Sequence, residues 1–263
     1  MSTFSGTIVK IRRAKLTKPP IAISYRPKAE DYLPVVVAAI RQHLGDWPIV
    51  LLTEERHLPP QAWLEKNSIE TITNWSHSPR AGKVLRLWEH QEIFASRMES
   101  WIWWHDDMLL LRPLADPAAT FDLPWISHRQ RKRPNKELSN WENWLWETLA
   151  FFRCQNIYAP NPVLHTPRLL RRSVLESIPE NWNRKRLLFE PTYLLWAWHQ
   201  AGIHPEVARD YRKGVFKGDI PSLESMQSQG FTIFNWGRNI NQSTARQVVG
   251  QHYPVTFERH HPL

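Results

Sequence analysis

The chain has 263 residues, 42% hydrophobic and 22% charged, an ordinary balance for a globular protein long enough to bury a sizeable core. A single cysteine, Cys154, excludes an internal disulfide and a cysteine-based zinc site. No apolar run approaches the ~20 residues of a membrane span, Met1 to Gly6 lacks the order of a secretory signal, and a cytoplasmic location is expected; the formal charge of +9 predicts attraction to polyanions such as nucleic acid, anionic polysaccharide or nucleotide phosphates.

In chain order, Ile21-Ala22-Ile23-Ser24-Tyr25-Arg26 follows Pro19-Pro20 and reads as a short buried strand. Asp31-Tyr32-Leu33-Pro34 then opens a helical run through His43-Leu44 that Gly45 stops. Pro48 to Thr53 is a second strand, so the beginning is a β-α-β unit, the mark of a parallel sheet. A short helix over Ala62 to Lys66 and a strand over Ile69 to Thr73 follow. Lys83 to Met98 carries Val84, Leu87, Trp88, Gln91 and Phe94 at helical spacing and leads into a strand over Trp101 to Trp104. That apolar strand ends on Asp106-Asp107.

The second half has a different texture. Leu123 to Ser127 reads as a strand, and His128 to Lys136 as a basic loop without an apolar residue. Ser139 to Phe152 is a capped helix with Trp141, Trp144, Leu145, Leu149 and Phe152 on a core face. Asn161 to Arg172 reads as a strand-like approach, a polar corner at His165 and a basic helix start. Phe189 to His199 reads as a helix with Glu190 at its N-cap and Pro191 at its first position. Short strands and a tail complete the chain from Phe231. The expected fold is α/β, a mixed, mainly parallel sheet flanked by helices. It is expected to form one domain over 1–263, with halves of about 19–127 and 128–263.

Two adjacent carboxylates at the lip of a buried strand repel each other and need a counter-charge. A divalent cation such as Mg²⁺ or Mn²⁺ supplies one, because hard cations take carboxylate oxygens together with substrate phosphates. The plainer alternative is that Asp106 and Asp107 cap the next turn or pair with Arg112. Ligands of open α/β sheets bind at the carboxyl ends of strands, which favours the functional reading. His165 is either a structural hydrogen-bonder or a general base, and Glu190 either a cap carboxylate or a catalytic or acceptor-contacting one. Arg129, Arg131, Lys132 and Arg133 form a solvated loop or contact an anion beside the site. Arg168, Arg171, Arg172, Arg184, Lys185 and Arg186 add a second basic cluster.

A β-α-β front half, an acid pair after a strand and later short polar motifs together resemble the nucleotide-diphosphate-sugar transferases of the GT-A class. In that class a strand-terminal acidic motif, usually Asp-x-Asp, binds Mn²⁺ or Mg²⁺ and through it the donor diphosphate. Here the motif is His105-Asp106-Asp107, so either both aspartates serve, the preferred reading, or His105 replaces the first acid. The resemblance implies a GT-A-like sheet and a nucleotide-sugar donor. The donor would lie near Tyr25, Arg26 and Asp106, with Arg80, Lys83 and Arg86 balancing its diphosphate, and Glu190 or His165 as base. A second resemblance, to Stealth-type capsular polysaccharide phosphotransferases, rests on His165-Thr166-Pro167 and Tyr253-Pro254…Phe257-Glu258 and implies transfer of a hexose phosphate. The charge points to a polyanionic acceptor, and modified DNA of the kind some bacteriophages carry fits. A non-catalytic nucleic-acid-binding protein and a metal-dependent nuclease are the rivals.

Overall fold

Residues 18–26, 32–73, 83–122, 140–157, 166–201, 213–214, 220–235, 247–250 and 253 are described by a computed structural model. Three short apolar segments, β1 (Ile21–Ser24), β2 (Ile49–Leu52) and β3 (Ile69–Ile72), lie parallel to one another in the order β3-β2-β1. β1 and β2 are apolar at nearly every position because both faces of a parallel sheet are covered by helices. The helix joining β1 to β2 is α1 (Leu33–Leu44), with Pro34 in its first turn, where a missing N–H costs nothing, and Gly45 at φ 59° where it stops. α2 (Gln61–Lys66) leads into β3, and α3 (Lys83–Ala95) carries the chain to β4 (Ser100–Trp104), which lies parallel to β1 on the side away from β2.

β5 (Met108–Leu110) follows after three residues but belongs to another sheet. Then come α4 (Pro117–Asp122), α5 (Asn140–Cys154), β6 (Arg168–Arg171), α6 (Arg172–Ser177), α7 (Phe189–Ala201), β7 (Lys213–Gly214), α8 (Leu223–Ser228) and β8 (Ile233–Asn235). β6 closes the first sheet, antiparallel to β4 with Trp103 opposite Arg168, giving the order β3-β2-β1-β4-β6. The expected basic helix start is corrected here. Arg168 to Arg171 is a strand and the helix begins only at Arg172, because pairing with Ser100 to Trp103 outweighs the local preference of Arg and Leu for helix. The second sheet has the order β5-β8-β7. The expected strand over Leu123 to Ser127 lies outside the described residues. Among the described residues, no helix is long and apolar enough to cross a membrane.

The five-stranded sheet separates two apolar clusters. On one face, Ala22, Val50, Leu52, Trp101 and Trp103 pack against α3, α5 and α7. On the other, Ile21, Ile23, Ile49, Leu51, Ile102 and Trp104 pack against α1, α2 and α4. A third cluster joins α1 to the small sheet and α8 through Ala39, Leu109, Leu111, Met226 and Phe234. Three of the most buried indoles each keep a hydrogen bond. Trp88 donates to the Leu187 carbonyl at 2.8 Å, Trp101 to Gln91 Oε1 at 2.9 Å and Trp104 to the Met108 carbonyl at 2.9 Å.

At the amino ends of β1, β2 and β3 the backbone is stitched together by two side chains, Arg41 and Trp47. Arg41, in the last turn of α1, donates to the carbonyls of Gly45, Trp47, Asn67 and Ser68, while Trp47 Nε1 donates to the Pro19 carbonyl at 2.9 Å. These carbonyls precede β2, β3 and β1 and would otherwise be edge groups without partners.

Candidate ligand site at the carboxyl edge of the sheet

From β1 the chain moves outward to β2 over the α1 face, and from β3 it crosses back over the α3 face to β4. The two connections diverge between β1 and β4. In an open α/β sheet this point leaves a crevice at the carboxyl ends of the two strands, and ligands bind there. The residues delivered to it are Ser24-Tyr25-Arg26 from β1 and His105-Asp106-Asp107 from β4.

The acids form the turn between β4 and β5, with the Met108 N–H donating to the His105 carbonyl at 3.2 Å, so the turn reading and the edge placement both hold. Both carboxylates are half-buried. Asp107 Oδ1 accepts from Asn235 Nδ2 at 3.5 Å, which ties the turn to β8. The His105 ring lies 4.5 Å from that of Trp103, on the α3 and α7 face. Tyr25 is buried against the α1 face, its N–H bonded to the Leu52 carbonyl at 2.9 Å, and Arg26 is exposed.

Sequence reasoning missed Glu54, which sits one residue beyond Thr53 at the end of β2. Its side chain is 12% exposed, paired with Arg56 at 2.6 Å and 3.9 Å from His57 Nδ1. Burial holds the His57 pKa below 6.5; Glu54 pulls it back up, while Arg56 and Arg26 push it further down. The charge of Arg26 thus reaches the end of β2. The signal was available, because Glu54 follows its strand much as Asp106 follows β4.

On the other side of the crevice stands a buried ion pair. Arg168, 1% exposed, places Nε 3.3 Å from Oε1 of Glu190, whose side chain is 10% exposed. Phe189 fixes the first turn of α7 against this end of the sheet by edge contacts to Trp88 at 5.1 Å and Trp103 at 5.6 Å. Glu190 is therefore inside the first helical turn and not at the N-cap as expected, because Phe189 already belongs to the helix. Its negative charge at a helix N-terminus is favourable there too.

Of the residues predicted for the site, Tyr25, Arg26, Asp106, Asp107 and Glu190 share this edge. Lys83 opens α3 at the same edge, with Arg86 one turn further along the helix. Arg80, His165, Arg129, Arg131, Lys132 and Arg133 lie outside the described residues. The second basic cluster is corrected. Arg168 pairs with Glu190, Arg171 with Asp122, Arg172 with Glu99 and Arg184 with Glu92, so four of its members are engaged by carboxylates instead of forming one cationic patch. Lys185 and Arg186 are exposed.

Among the described residues no group of three or more His, Cys, Asp or Glu side chains is arranged to hold a metal. The Asp106-Asp107 pair nevertheless fits a Mg²⁺ or Mn²⁺ ion, which takes one or two protein carboxylates and fills its remaining positions with water and substrate phosphate.

No family model matches the chain, and no curated protein matches it in sequence. Among solved structures it is similar to a PaToxG glycosyltransferase, at 6% identity over 70% of each chain with a TM-score of 0.34, a likeness that carries no argument about fold or activity. The class is set by the chain's own topology: an α/β protein with a mainly parallel sheet flanked by helices, whose connections diverge between β1 and β4.

Proposed function

We propose that this protein is a metal-dependent glycosyltransferase that moves a sugar from a nucleotide-diphosphate sugar to a hydroxyl acceptor. The observation that carries the reading is the adjacent carboxylates Asp106 and Asp107 at the end of β4, at the point where the sheet's connections diverge. A protein that only binds nucleic acid has no use for two acids there, because they repel phosphate.

Asp106 and Asp107 would hold Mn²⁺ or Mg²⁺. When bound, the ion supplies Lewis-acid stabilisation of charge on the departing diphosphate. Tyr25 and Arg26 would face the nucleotide, and Arg80, Lys83 and Arg86 would add positive charge beside the diphosphate. In the transfer an acceptor oxygen forms a bond to the anomeric carbon. The bond from that carbon to the phosphate oxygen breaks, and its electron pair leaves on the nucleoside diphosphate. In an inverting reaction Glu190 or His165 takes the proton of the acceptor hydroxyl. The acceptor is a polyanion, DNA among the candidates, contacted through Arg129, Arg131, Lys132 and Arg133.

The test is a thermal-shift and calorimetric screen of UDP-, GDP-, ADP- and CMP-sugars with and without Mn²⁺. One donor should stabilise the wild type in a metal-dependent way and bind Asp107→Ala at least about 100-fold more weakly, the scale of a lost charged contact. No stabilisation by any donor, alongside salt-sensitive DNA binding unchanged in the variant, would leave a binding protein. For a diphosphate-linked donor, product analysis then separates sugar transfer, which releases nucleoside diphosphate, from sugar-phosphate transfer, which releases the monophosphate. A slope of log K against log salt near 0.9 per neutralised phosphate would support duplex DNA as acceptor.

A further inference from the structure

Continuing the strand registers one step past Ile23–Trp104 and two steps past Trp103–Arg168 places Ser24, His105 and Thr166 side by side across β1, β4 and β6. Ile23 pairs with Trp104 and Trp103 with Arg168, so the next positions outward lie at the carboxyl edge. Alternation along a strand puts all three on the face of Trp103 and Ala22, where α7 packs. Glu190 approaches the same edge from the first turn of α7.

This corner is polar, and its hydroxyls are unanswered. Thr166 is 1% exposed and its hydroxyl has no hydrogen-bond partner among the described residues; Ser24 Oγ is buried and equally without one. A buried hydroxyl left without a partner costs about 1–3 kcal/mol. Thr192 Oγ1, Gln91 Nε2 and Trp198 Nε1 are in the same condition, but Ser24 and Thr166 lie on one sheet edge, Thr166 two residues before Arg168 and on the same face. The pair itself is expensive to bury and is often replaceable by apolar residues without loss of stability. Both observations are accounted for by a ligand rich in hydroxyl groups. Hydroxyls donate and accept, so they suit Thr and Ser, and a carboxylate anchored at one oxygen by Arg168 presents its other oxygen as an acceptor.

We infer that Ser24, Thr166 and the Arg168–Glu190 pair form the subsite for the transferred sugar ring. Phe189 and Trp103 provide its apolar floor, and Asp106-Asp107 lies on the opposite side, toward the small sheet. Glu190 accepts from sugar hydroxyls, and Arg168 is a positioning residue that fixes the direction of its carboxylate. This assignment rests on the donor site proposed above and gives it an orientation: diphosphate toward β8, sugar toward α7.

The test compares UDP, GDP and ADP with their hexose conjugates by calorimetry in Mn²⁺, for wild type, Ser24→Ala with Thr166→Val, and Glu190→Gln. In the wild type the conjugate of the cognate nucleotide binds more tightly than the bare diphosphate. The double variant should keep the diphosphate affinity and lose about 3- to 10-fold per hydroxyl in affinity for the conjugate. Its melting temperature should equal or exceed that of the wild type, because only unpartnered polar atoms are removed. Glu190→Gln should show the same selective loss. An unchanged ratio between conjugate and diphosphate in these variants, or no preference in the wild type, overturns the subsite alone. Failure of every diphosphate to bind wild type overturns the donor reading along with it.

Discussion

The two ends of the five-stranded sheet are built to opposite specifications. At the amino ends of β2 and β3, Arg41 closes the backbone by donating to four carbonyls, and Trp47 Nε1 closes that of β1 at the Pro19 carbonyl. At the carboxyl ends, acids, a histidine and hydroxyls collect, and several of the hydroxyls have no partner among the described residues. One end spends its polar groups on the fold and the other holds them in reserve. Where polar groups answer one another the role is structural, and where they do not the shortfall marks a place for something else to bind.

The largest expected effect breaks this contrast at its most buried point. Arg168→Gln leaves Glu190 without its cation in a nearly dry environment and should cost about 3 kcal/mol of stability in urea titration. Combining Arg168→Met with Glu190→Leu should recover most of that loss while leaving the hexose conjugate no tighter than its diphosphate. A double variant as unstable as Arg168→Gln alone would make the pair purely structural. Next comes the closed end: Arg41→Ala should cost about 2 kcal/mol by leaving several carbonyls unanswered, with nucleotide binding unchanged. Altered nucleotide binding at constant stability would mean that the two ends are not separate in function.

A smaller effect is in pH. His43, near the closed end and 3.2 Å from the Tyr253 hydroxyl, has its pKa lowered from 6.5 by burial, and His57 at the open end is lowered too. The unfolded chain therefore binds more protons than the folded one once pH falls below 6.5. Stability should be fully present above that value and decline on acidification. His43→Asn should flatten the decline in melts between pH 7 and pH 5; an unaltered slope would remove His43 from the account. Smallest in stability is Asp107→Asn, expected within about 0.5 kcal/mol of wild type without ligand, because it relieves repulsion between neighbouring acids while keeping shape. The same variant should abolish the metal-dependent shift.

Much of the first half was legible from local pattern. Apolar runs of four between prolines, glycine and helical spacings fix β1 to β4 within a residue or two, and the parallel order follows from crossover helices. What escaped was long-range. Arg168-Leu169-Leu170-Arg171 has no strand alternation in its composition, and only its pairing with β4 makes it a strand. Met108 to Leu110 is a short apolar stretch just past the acid pair, and nothing local announces that it crosses into a second sheet by pairing with β8. Within the site, Asp106-Asp107 stood out because two acids end an apolar stretch. Glu54 did not, since Glu55 and Arg56 beside it make an ordinary polar turn. Arg168 appeared as one more positive charge, and its burial against Glu190 depends on a contact across 22 residues.

The three residues between β4 and β5 couple two sheets that have no strand in common among the described residues. Asp107 is further held by Asn235 from the partner strand β8. A turn pinned at both ends and from the side does not open by itself. Amide exchange at His105 to Met108 should therefore follow the global unfolding of the molecule, at rates far slower than turns ordinarily show, and the acids should keep their spacing until the whole protein melts.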